Sequence, residues 1–138
     1  MGGGRQWAGR QAPSLVDFEQ LAAAAWQRLP QEFRDLSGDV LIRVEDFPTD
    51  DVLQAVGLKS PFDLMGLFQG VSLDKKSVMD PGGLPNMVFL YRRPMLDYWA
   101  EHAETLGHLV THVLVHEIGH HFGLSDADMA HIEAGAGD

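Results

Sequence analysis

The sequence contains no cysteine among its 138 residues. Disulfide bonds and thiolate metal ligands are therefore excluded, so any bound metal ion must be held by histidine, aspartate or glutamate side chains. The lack of cysteine also suits a reducing compartment, where disulfides do not persist. We accordingly expect a cytoplasmic protein.

Basic residues are scarce. Ten lysines and arginines stand against twenty aspartates and glutamates, which gives a formal net charge of −10. The basic residues form no cluster larger than the pairs Lys75-Lys76 and Arg92-Arg93. Because nucleic-acid-binding proteins need a basic surface to neutralise phosphates, we expect no nucleic-acid partner.

Long apolar segments are missing as well. No run of apolar residues is long enough to cross a bilayer, and the first residues lack the apolar stretch of a secretory signal. We therefore expect no membrane partner.

The length and the hydrophobic content of 45% are typical of one globular domain with a single core. We assign this domain to residues 14–138, after a flexible tail over residues 1–13, and expect a monomer.

The hydrophobic pattern predicts an α+β fold. Ser14 and Asp17 have the spacing of a capping box, and Pro30 ends the amphipathic helix that follows. Alternating and continuous apolar stretches predict about three strands, of which the one at 87–91 is apolar on both faces and therefore central. The predicted strands are 40–45, 67–71 and 87–91, and the predicted helices are 15–29, 49–57, 95–103, 105–121 and 126–133.

The segment with the clearest chemistry is His116-Glu117-Ile118-Gly119-His120. Residues four apart on an α-helix lie almost one above the other, so two imidazoles can face a single ion. Glu117 lies at the edge of the same face and can reach a water on that ion without being a ligand. This is the H-E-x-x-H arrangement of zinc peptidases.

Two further residues extend the motif to H-E-x-x-H-x-x-G-x-x-D. Gly123 can take the left-handed conformation that ends a helix, and Asp126 follows the turn with a short oxygen ligand. Two imidazoles and one carboxylate leave a tetrahedral zinc ion with one open position, which is typical of catalytic sites. We predict His116, His120 and Asp126 as zinc ligands and Glu117 as the catalytic base. Asp126 is favoured as the third ligand over Glu133 and Asp138.

Other polar side chains have open roles. His108 and His112 continue the histidine row at four-residue spacing, but each step is rotated by about 40°, so we expect them beside the site rather than on a second metal ion. His131 and Tyr91 are candidates to stabilise an oxyanion, although an exposed surface position is the favoured interpretation of His131. Met129 lies either beneath the zinc site or in the core.

The sequence resembles the small bacterial zincin-like metallopeptidases, also known as minimal metalloproteases. The similarity includes the motif segment 115–123 and three other stretches, 44–48, 64–70 and 90–94, and it extends over about residues 15–133. The resemblance implies a minimal zincin fold with two histidines and an aspartate as zinc ligands.

The expected function is hydrolysis of a peptide or protein substrate with zinc as the cofactor. An alternative is a zinc-binding domain with a structural or partner-binding role and no peptidase turnover, and a third possibility is a helix with solvated histidines and no metal ion. For the peptidase, we expect the short glycine-flanked strand at 67–71 to lie at the sheet edge and to pair with the substrate.

Overall fold

The computed structural model describes residues 7–70 and 86–136. Within these ranges, no helix has the length and apolar character needed to span a membrane. Val71, the last residue of the predicted strand 67–71, and Asp138, a less favoured candidate for the third zinc ligand, lie outside the described residues. The helices are α1 (Leu15–Arg28), α2 (Gln31–Ser37), α3 (Asp50–Val56), α4 (Arg92–Glu101), α5 (Leu106–His121) and α6 (Asp126–Ala136), and the strands are β1 (Val40–Glu45), β2 (Gly66–Gln69) and β3 (Asn86–Tyr91).

The sheet has three strands in the order β1-β3-β2. β1 runs parallel to β3, whereas β2 runs antiparallel to it, with Phe68 opposite Val88. Val88 and Leu90 are completely buried, because β3 lies between the two other strands and is covered on its faces. The predicted α+β class and the central position of this strand are confirmed, and β2 is an edge strand of the described sheet.

The first helix begins where the sequence predicts. The Ser14 side chain accepts a hydrogen bond from the Asp17 backbone, and the Asp17 carboxylate accepts one from the Ser14 N–H, so the capping box is complete. Pro30 stops α1, but it also precedes α2, a helix that the sequence analysis missed. Its two buried residues are Phe33 and Ser37, four positions apart, and because serine is polar this pair gives no apolar periodicity in the sequence.

Helix α5 forms the centre of the core. The Thr105 hydroxyl caps its N-terminus by accepting from the His108 N–H. Its apolar residues are buried against α1 and the sheet, and this leaves the histidines on the remaining face. The most deeply buried members of that apolar face are Leu109, Val110, Leu114, Val115 and Ile118.

A tight turn reverses the chain after α5. Gly123 adopts a left-handed φ of 77°, as its place in the motif predicts, and the Leu124 N–H donates to the Gly119 carbonyl at 2.9 Å. Ser125 and Asp128 exchange side-chain–backbone hydrogen bonds that cap the next helix. α6 therefore runs back along α5, and its Met129 is fully buried.

Candidate metal and catalytic site

The four histidines of α5 form a continuous row. The ring centroids of His108 and His112 are 6.5 Å apart, those of His112 and His116 are 4.0 Å apart, and those of His116 and His120 are 5.4 Å apart. The helix therefore places its imidazoles next to one another along one face, as the four-residue spacing predicts. His116 is half-buried, whereas His120 is exposed.

Helix α6 brings a carboxylate to this row. Glu133 Oε1 lies 2.6 Å from Nδ1 of His112, and Glu133 Oε2 lies 3.5 Å from Nε2 of His116. Only 12% of the Glu133 side chain is exposed. In the described part of the chain, His112, His116 and Glu133 are a group whose metal-binding atoms all lie within 4.8 Å of one another.

Glu117 lies on the other side of the row, next to the edge strand. Its Cγ would be 3.3 Å from a Cβ placed on Gly66, so β2 passes directly beside it. The carboxylate accepts a hydrogen bond from the backbone of Phe68. Burial raises the pKa of Glu117, and the His120 charge and the Phe68 hydrogen bond oppose this rise only in part. A raised pKa brings a carboxylate closer to the range of a general base at neutral pH.

The end of α5 packs on the same strand through aromatic rings. The Phe68 ring is 4.2 Å from the His121 ring and 5.8 Å from the Phe122 ring, centroid to centroid. These contacts fix β2 against the C-terminal half of α5. As a result, the histidine row has the sheet edge on one side and α6 on the other.

Asp126 is the first residue of α6 and is exposed. The left-handed turn at Gly123, which the motif predicts, precedes it in the chain. Within residues 86–136, however, the metal-binding atoms of His116, His120 and Asp126 are not gathered within 4.8 Å of one another. The assignment of Asp126 as the third ligand stays a prediction.

The part of the chain that contains this site matches a known protein family. The family model for zincin-like metallopeptidases matches residues 37–136. This range is 100 of the 138 residues and contains the sheet, the histidine row and α6. The chain belongs to the zincin-like metallopeptidase family. A search of curated proteins gave no significant match.

Membership in the zincin-like family implies zinc binding, and the donor chemistry of the site fits this ion. Imidazole nitrogen and carboxylate oxygen are both common zinc ligands. Burial, together with the neighbouring His112 charge, lowers the pKa of His116 and outweighs the opposing effect of Glu133. His116 is therefore held in the neutral form that a metal ligand needs.

The two oxyanion candidates differ in their surroundings. Tyr91 is only 1% exposed, and burial together with the charges of Glu45 and Glu117 raises its pKa to about 12. Its hydroxyl is thus kept neutral but has almost no access to solvent. His131 is exposed and lines a cleft with Phe33 on the α2 side of α6.

The sequence left open the position of Met129 and the role of Glu133. Met129 packs on Gly119 within the hydrophobic core, which agrees with the core-packing alternative. Glu133 was only a lesser candidate ligand, but the structure brings it to His112 and His116. The signal for this was the spacing of seven residues from Asp126, which puts both carboxylates on one face of a helix.

Proposed function

We propose that this member of the zincin-like family is a zinc-dependent peptidase in which Glu117 is the catalytic base. The observation that carries the proposal is the position of Glu117 between the histidine row and the edge strand β2, where its Cγ is 3.3 Å from the site of a Gly66 Cβ. A peptide bond held along this edge would lie within reach of both the base and the metal ligands.

The proposed ligands are His116, His120 and Asp126. A zinc ion held there would supply Lewis-acid chemistry, polarising a carbonyl group and lowering the pKa of water towards ~7. The Glu117 carboxylate accepts the proton of the attacking water and then delivers it to the leaving amine. Its raised pKa favours this exchange, since a more basic carboxylate takes the proton more readily.

The substrate is proposed to be an extended peptide that pairs with β2. The Tyr91 N–H donates to the Met65 carbonyl at 3.0 Å, so Met65 faces β3. Backbone groups alternate along a strand, and Gly66 and Phe68 therefore direct theirs to the open edge. The Phe68 N–H already donates to Glu117, which makes it the edge donor nearest to the catalytic base. A substrate carbonyl would take over this donor when Glu117 turns to the water.

The test compares the zinc-loaded parent chain with Glu117→Gln on a broad peptide library. We expect the parent to cleave peptides, and the variant to keep its zinc stoichiometry while cleaving about 100-fold or more slowly, because an amide cannot accept the proton. Glu104→Gln, on the loop before α5, is the matched control and should cleave like the parent.

Two results would contradict the proposal. Equal cleavage by Glu117→Gln would exclude Glu117 as the base. A parent chain that binds zinc but cleaves no peptide would favour the alternative of a zinc-binding domain without turnover.

A further inference from the structure

The cluster of His112, His116 and Glu133 has a second feature besides its short distances. Both oxygens of the Glu133 carboxylate face imidazole nitrogens, one on each histidine. The cluster is also sheltered, since the exposed fraction is 12% for the Glu133 side chain and 26% for His116. His112 is the more open partner at 42%. Two imidazole rings and one carboxylate thus meet between α5 and α6.

The spacing suits a metal ion. Two ligands of a tetrahedral zinc ion, each about 2.0 Å from it, are separated by about 3.3 Å. Glu133 Oε2 and His116 Nε2 are 3.5 Å apart, which is close to this value. The 2.6 Å contact of His112 with Glu133 is a hydrogen bond, and it would have to open by less than about 1 Å for both groups to bind one ion. The ligand atoms of His112 and His116 lie within 4.8 Å of each other, so this pair would have to close by at most about 1.5 Å.

Glu133 and Asp126 cannot both bind the same ion, because the cluster and the predicted ligand set lie at different heights along α5. Asp126 and Glu133 share a face of α6 but are about 10 Å apart along the helix axis. Since α6 runs back along α5, Glu133 lies at the level of His112 and His116, and Asp126 lies near the C-terminal end of the row. His116 is the member that both sets contain.

We propose that His112, His116 and Glu133 form a second divalent-ion position, suited to zinc, cobalt or nickel, that overlaps the motif site and competes with it for His116. The proposal rests on the proposed function in one respect, namely that His116 also serves the motif ion. An imidazole Nε2 binds one ion at a time, so the two positions exclude each other. An ion in the second position therefore withdraws a ligand from the catalytic one.

The experiment measures zinc affinity by calorimetry for the full chain with His120→Ala, which removes a ligand of the motif site alone. We expect His120→Ala to retain one zinc ion per chain, and His120→Ala/Glu133→Gln to bind it at least tenfold more weakly. In the parent background, Glu133→Gln should change the affinity by less than threefold. Circular dichroism without metal verifies that each variant is folded.

The matched control is Glu104→Gln in the same His120→Ala background. Glu104 contacts His108 at 2.6 Å, so it makes the same kind of carboxylate–imidazole pair one step earlier in the row. It should leave the zinc affinity unchanged. A second readout is the proton NMR spectrum of the cobalt-loaded His120→Ala chain, in which the ring protons of His112 should be strongly shifted by direct binding.

Each outcome is decisive. If Glu133→Gln leaves the affinity of His120→Ala unchanged, or if the His112 ring protons are not shifted by cobalt, the second position does not exist. If Glu133→Gln weakens zinc binding in the parent as much as Asp126→Ala does, Glu133 is a ligand of the motif ion and the proposal is wrong. If His120→Ala and Asp126→Ala have no effect while Glu133→Gln abolishes binding, the second position stands and the proposed catalytic site fails.

Discussion

Replacing Gly66 with alanine tests how closely the edge strand and the catalytic helix are packed. A Cβ at this position would lie 2.6 Å from Val113 Cγ1, 3.2 Å from the Phe89 carbonyl oxygen and 3.3 Å from Glu117 Cγ. Carbon atoms pack best at about 3.5–4.0 Å, so the first contact alone overlaps by about 1 Å. The Phe89 oxygen belongs to the backbone of the central strand and cannot give way. β2 must therefore move away from α5.

Overpacking of this kind costs about 1–3 kcal/mol of unfolding free energy. For a chain of this length, 1 kcal/mol corresponds to about 3–5 °C in Tm, so Gly66→Ala should lower the Tm by about 3–15 °C. The displaced strand also carries the Phe68 backbone that holds Glu117. Peptide cleavage should accordingly fall more than zinc affinity, because the histidines are not on this strand.

Two glycines of the neighbouring helix α5 provide controls of graded severity. A Cβ on Gly107 would meet nothing within 4 Å, and alanine is the better helix former, so Gly107→Ala should leave the Tm unchanged or raise it. A Cβ on Gly119 would meet Met129 Sδ at 2.5 Å, but a methionine side chain can shift, and an intermediate loss is expected. Thermal unfolding followed by circular dichroism measures all three. A Gly66→Ala chain as stable as Gly107→Ala would refute the reasoning.

Three further predictions concern the site. Asp126→Ala should reduce the gain in Tm that zinc gives over chelator-treated protein, with each tenfold loss of affinity removing about 1.4 kcal/mol, and an unchanged gain would exclude Asp126 as a ligand. Folded Tyr91 keeps its proton up to a pKa of about 12, against 10.0 for the free side chain, so stability present below pH 10 should decline between pH 10 and 12. The loss is at most about 2.7 kcal/mol, and denaturant titrations of Tyr91→Phe should lack that decline. Phe68→Pro removes the edge N–H without touching the bonds to β3, so it should impair cleavage while zinc stays bound, whereas Phe68→Leu tests the ring alone. Cleavage by Phe68→Pro at the parent rate would disprove substrate pairing at this donor.

Much of the fold can be predicted from local sequence patterns. The capping box at Ser14 and the left-handed turn at Gly123 depend on neighbouring residues only, and both are present. The doubly apolar pattern of β3 was sufficient to place it in the centre of the sheet. Helix α2 was missed because Pro30 was interpreted only as the end of one helix, although it also precedes the next.

The sequence by itself also determined the histidine row and the place of Glu117 beside it, since both follow from the pitch of one helix. Only the tertiary structure decided which groups of other elements contact the histidine row and Glu117. The Phe68 backbone reaches Glu117 because β2 packs on α5, and Glu133 reaches His112 because α6 folds back along it. The residues of the second contact are 21 positions apart, and no periodicity within either helix specifies which residues of the two helices face each other. That choice is made by core packing, in which Met129 lies against Gly119 and sets the register of one helix on the other.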